Sequence, residues 1–124
     1  MPARLRPAAA ADVAAAQARL AAAVATGEPA SGTDLRLLAK HYLALLEDRA
    51  PGRSVEVRVP PFAAVQVVEG VRHTRGTPPA VIETDAGTWI ALATGTLSWT
   101  EAVADGRVQA SGERTDLSAF LPLG

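Results

Sequence analysis

Two guanidiniums and an imidazole crowd into one short stretch, Arg72-His73-Thr74-Arg75, with Gly76 and Thr77-Pro78-Pro79 behind it. Strand-like apolar runs lie on both sides. Residues of these types bind anions, because arginine donates paired, charge-assisted hydrogen bonds to a carboxylate or phosphate. The plainer reading is a solvated connection, longer than a tight turn and stiffened at its exit by the two prolines. Sequence alone leaves both open.

No other stretch assembles a reaction centre. The patterns G-x-S-x-G, H-E-x-x-H and G-x-x-x-x-G-K-[ST] are absent. The two histidines, His41 and His73, lie too far apart in the chain to form a metal motif. A Ser-His-Asp arrangement around His73 has no local support. Cysteine is absent, which removes disulfides, thiolate catalysis and zinc-thiolate sites. The expectation is a protein that is not an enzyme and that uses no metal and no cofactor.

The elements that must position these groups fit one domain. The chain has 124 residues, 48% hydrophobic and 20% charged, with a net charge of −1. That is an ordinary globular balance, enough for one core. No basic stripe runs along any element, so nucleic acid is not an expected partner. Arginine supplies all the basic residues but Lys40. The alanine-rich start is broken by Asp12, Gln17 and Arg19, unlike the apolar region of a signal peptide. No segment approaches the roughly 18 uninterrupted apolar residues of a membrane span. A cytoplasmic location is expected.

Periodicity divides the chain. Alanine is the best helix former, and Gly27 with Pro29 makes a stop, so a helix is expected over 9–26 behind a frayed start. Its stripe is narrow: Val13, Ala16, Leu20 and Val24. A second helix, over 33–49, has Ser31, Thr33 and Asp34 as capping candidates. Leu35, Leu38, Tyr42, Leu45 and Leu46 recur at helical spacing, and Pro51-Gly52 stops it. His41 falls off that stripe and reads as a surface or boundary residue. The period then changes to two. Strands are expected near 54–59, 63–69, 80–84 and 107–111. Short helices are expected over 85–94 and 98–105, the second opened by a capping box in which Ser98 and Glu101 bond each other's backbone amides. Residues 117–121 should dock Leu117, Phe120 and Leu121 on the body.

Trp89 and Trp99 sit on those consecutive short helices. Bulky side chains there most simply fill the core. Alternatively the helices lean over the sheet, and Trp89, Leu92, Trp99 and Val103 line an apolar cavity against Val57, Val65 and Val67. A cavity with few polar groups suits a lipid-like ligand, whose anionic head Arg72, His73 and Arg75 would meet at the mouth.

The stretch "DAGTWIALATGTLSWTEAVADGRVQASGERTDLSAFL" resembles the C-terminal half of sterol carrier protein domains. The features that carry the resemblance are an acidic helix start, Trp89, Leu92, Gly95, Leu97, Ala102 and a "GRVQASG" strand closed by Gly112. The C-terminal domain of mycothiol-dependent maleylpyruvate isomerase-like proteins ends in a similar pattern. "PGRSVEVRVPPFAAVQVVEGVRHTRGTPPAVIETD" looks like the strand region of small bacterial members, so the resemblance spans about residues 33–122. It implies an α+β domain with a twisted, mainly antiparallel sheet of four to five strands covered by helices. In the family the space between sheet and helices can hold a sterol, fatty acid or acyl-CoA. The long C-terminal helix of many members is expected to be short or missing here. Residues 1–30 then form an alanine-rich helix with a frayed start, and 31–124 the sterol-carrier-like domain. The expected function is non-covalent carriage of an apolar or amphipathic ligand. The alternatives are an accessory domain of a thiol-dependent enzyme, or a ligand-free interaction or homodimerisation module.

Overall fold

A computed structural model describes residues 4–70, 80–112 and 115–123. The alanine-rich run forms α1 (Ala10–Thr26), closed by Gly27 in the left-handed conformation. The next helix, α2 (Gly32–Arg49), starts where the Ser31 hydroxyl accepts the Asp34 amide at 3.4 Å. Three strands follow, β1 (Val55–Val59), β2 (Ala63–Val67) and β3 (Ala80–Thr84). Then come α3 (Ala86–Thr94), α4 (Trp99–Ala104) and β4 (Val108–Ser111), with a 3-10 turn at Ser118–Phe120.

The strands form one sheet in the order β2-β1-β3-β4. β1 pairs antiparallel with β2 and parallel with β3, and β4 closes antiparallel on β3. The sheet is therefore mixed, with two of its three ladders antiparallel. The alternation read in "SVEVRVP" fixes its faces. Val55, Val57 and Val59 are buried, and register places Val57 between Val65 and Ile82. Glu56, Arg58, Ala64, Gln66 and Glu83 share the opposite face by the two-residue period.

Among the described residues, helices cover only the valine face. Leu38, Tyr42, Leu43 and Leu46 of α2 join Trp89, Ile90 and Leu92 of α3 in one core with the strand valines. Leu43, outside the expected stripe, is fully buried because α2 is packed both by the sheet side and by α1. α1 touches this body through Val13 and Ala16. Its orientation is fixed by Arg19, which grips the buried Asp34 carboxylate through three contacts of 2.9–3.2 Å. That pairing holds the Asp34 carboxyl below its usual value. Val24 departs from its expected stripe and is 74% exposed. α2 begins only at Gly32, so the last turn of α1 has no helix opposite it.

Caps explain the short helices. Asp85 accepts the Thr88 amide at 2.8 Å, and the Thr84 hydroxyl donates to the Arg107 carbonyl at 2.8 Å, tying β3 to the approach of β4. Ser98 accepts the Glu101 amide at 3.1 Å, as its spacing predicts. The reciprocal half differs: the Glu101 carboxylate accepts from the Ser98 hydroxyl at 2.9 Å, not from the Ser98 amide. Ser98→Ala removes both bonds and should lower stability by about 1 kcal/mol in denaturant unfolding. An unchanged midpoint would show that the cap contributes nothing.

Candidate functional site

Trp89 is wholly buried and Leu92 is 1% exposed. The Trp89 indole N–H donates to the Ala39 carbonyl at 3.2 Å, which anchors α3 to α2. Val57, Val65 and Val67 belong to the same packed cluster. Five of the expected ligand residues are thus brought together, as core. Trp99 is half-buried against that cluster, whereas Val103 is 49% exposed and outside it. The expected lining is corrected there: α4 has six residues and turns only Ala102 fully inward, which leaves Val103 on its outer side. The expected cavity mouth, Arg72, His73 and Arg75, lies outside the described residues.

Among the described residues, open space lies instead along β2 and the turn after α2. A half-open groove of about 580 Å³ is lined by Arg4, Leu5, Glu47, Gly52, Arg53 and Val65, with Pro51, Glu56, Ala64 and Gln66 completing it. A shallower groove of about 310 Å³ adjoins it across Glu56 and Ala64, against Arg58, Phe62 and Glu83.

Three elements build the larger groove. One wall is β2, through Ala64, Val65 and Gln66. The base is the turn after α2, and backbone bonds hold it rigidly. The Val68 amide donates to the Ala50 carbonyl at 2.7 Å. The Val68 carbonyl accepts from both the Ser54 amide and the Ser54 hydroxyl, at 3.1 and 2.6 Å. Gly52 fits beneath Val68 because it has no side chain: a Cβ there would lie 2.2 Å from the Val68 carbonyl group. The other wall is the segment Arg4–Ala9, which lies along α2. Arg4 donates to Asp48 at 2.8 Å and stands 3.9 Å from Glu47. Leu5 and Ala8 pack on the core, and the Ala8 amide donates to His41 Nδ1 at 3.0 Å.

The chemistry of the groove is amphipathic. Leu5, Pro51, Ala64 and Val65 give an apolar stretch, and Arg4 and the exposed Arg53 give cations. Glu47 Oε1 is buried and accepts no hydrogen bond from the described residues. Its charge is faced by the Arg4 guanidinium at 3.9 Å. His41 stays below its ordinary value because burial disfavours the imidazolium. Among the described residues no cluster of His, Asp and Glu is placed to hold a metal ion. No helix described is long and apolar enough to cross a membrane.

Sequence reasoning missed this groove. The segment before α1 reads from sequence as frayed, and His41 as a surface or boundary residue, which its half-buried position bears out without revealing its bond to Ala8. The signals were Leu5 between Arg4 and Arg6, and a histidine bordering an apolar stripe. Among the described residues, Val65 is the one expected ligand residue that lines the groove.

Residues 31–123 match the family model described as bacterial SCP ortholog. No curated protein matches the chain.

Proposed function

The chain belongs to the bacterial SCP (sterol carrier protein) ortholog family, and from that premise we propose that it is a non-catalytic carrier of one amphipathic, lipid-like molecule, seated between Arg4–Ala9 and β2. The observation that carries this reading is the groove itself. Its volume of about 580 Å³ falls within the roughly 300–1,000 Å³ of small-molecule sites. An acyl chain would lie along Leu5, Ala64 and Val65, and an anionic head would meet Arg53 at the open end. Burial gives about 0.8 kcal/mol per methylene, and micromolar affinity needs about 8 kcal/mol. Because the groove is half open and association has its own cost, the expected affinity is in the range of tens of micromolar.

A second reading, a packed interaction module without ligand, draws on the filled core at Trp89 and Leu92. One titration separates the two. Dansyl-undecanoate, a fluorescent medium-chain acid, should bind the wild-type chain saturably. Arg53→Glu, exposed and outside the core, should weaken binding about tenfold by placing a carboxylate against the head. No saturable binding would favour the module. Binding indifferent to Arg53→Glu would move the ligand out of this groove.

A further inference from the structure

We infer that the segment Arg4–Ala9 is a strap that holds one wall of the groove in place at neutral pH and is released by acid, with His41 as its latch. The latch follows from the donor and acceptor roles at one contact. The Ala8 amide can only donate, so the Nδ1 that receives it at 3.0 Å carries no proton. The imidazole is therefore neutral, with its proton on Nε2. Protonation would turn Nδ1 into a second donor facing the first, and the contact would become repulsive.

The surroundings of His41 favour that neutral form. One helical turn away on α2 stand Leu37, Leu38, Ala44 and Leu45, all apolar. The Tyr42 ring meets the imidazole edge-on, with centroids 4.9 Å apart. The charged groups of the adjoining elements are Arg4 and Arg6 on the strap, Asp12 and Arg19 on α1, and Asp34, Arg36, Lys40, Glu47, Asp48 and Arg49 on α2, with Arg19 and Asp34 paired to each other. Arg4 is taken up by Asp48 and Glu47, and no carboxylate among the described residues bonds His41. Burial lowers its affinity for a proton relative to the ordinary value of 6.5. The folded chain thus binds fewer protons than the unfolded chain. The latch contributes fully above about pH 6.5 and is lost as pH falls through that value toward the folded one.

Among the described residues, little else fixes the strap. The Arg4–Asp48 pair has both side chains more than half exposed, and such pairs contribute little. Leu5 and Ala8 are only half-buried. Release would withdraw Arg4 and Leu5 from the groove wall. The latch stands on its own geometry, and only its consequence for cargo rests on the proposed function.

The experiment is amide hydrogen exchange at Ala8, followed by NMR and corrected for intrinsic rates, on ligand-free wild type and His41→Gln. Wild type should lose about tenfold in protection between about pH 7.5 and about pH 5. Glutamine does not titrate, so protection in His41→Gln should be the same at both pH values. Unchanged protection in wild type, or an equal acid loss in His41→Gln, would overturn the latch. Dansyl-undecanoate affinity should fall about tenfold over the same range in wild type and by less in His41→Gln. An equal fall in both chains would overturn the coupling to cargo. A probe that fails to bind at any pH refutes the carrier reading, while the exchange data still judge the latch.

Discussion

Trp89→Ala should lower the stability of the domain by about 3–5 kcal/mol, the usual cost of truncating a buried tryptophan. Trp89 is the largest of the fully buried side chains and touches the packing of α2, α3 and the sheet together. Its removal takes apolar area out of the core, leaves a cavity that short helices cannot close, and deletes the indole bond to Ala39. For a domain whose total stability is of order 5–15 kcal/mol, the variant would be near the edge of folding. Urea unfolding measures it, with Trp89→Phe as the milder companion, expected to lose less because the ring volume is partly kept. A loss below about 1 kcal/mol for Trp89→Ala would mean that the space beneath α3 is not packed, and would reopen the expected chamber there.

Gly52→Ala should cost about 3 kcal/mol, from two sources. Gly52 has φ +153°, a conformation that residues with a Cβ rarely adopt. The added methyl would also meet the Val68 carbonyl group at 2.2 Å. Both partners are backbone, and Ser54 and Ala50 hold Val68 in place, so no flexible side chain can move aside. Gly27→Ala is the control. Gly27 has φ +73° but open space around it, so its substitution should cost about 1–2 kcal/mol from conformation alone. Equal losses in the two variants would show that the turn and the end of β2 separate easily, and that the groove base is soft.

Most of the fold was legible because its signals are local. The switch from a period of 3.6 to a period of two at Ser54 located β1 and β2 within two residues of their observed ends. The Ser98 box located the start of α4, and the expected range 85–94 matches α3 to within one residue. The parallel β1–β3 ladder was less visible, because pairing across the stretch between β2 and β3 leaves no periodic trace. Site placement was legible only in part. Trp89 and Leu92 have the composition of a ligand lining and of a core alike, and only packing decides between them. The strap was hidden for a different reason. Six residues without regular structure show no periodicity, and the histidine that holds them bonds a backbone amide distant in sequence.

The most direct test of the carrier account is where an acyl ligand touches the chain. Dansyl-undecanoate titrated into isotope-labelled protein should shift the amides of Leu5, Gly52, Arg53, Val65 and Gln66, the residues that surround the groove. Trp89, Leu92 and Ala102 should stay in place. Shifts centred on Trp89 and Ala102, or no saturable shifts at all, would contradict it.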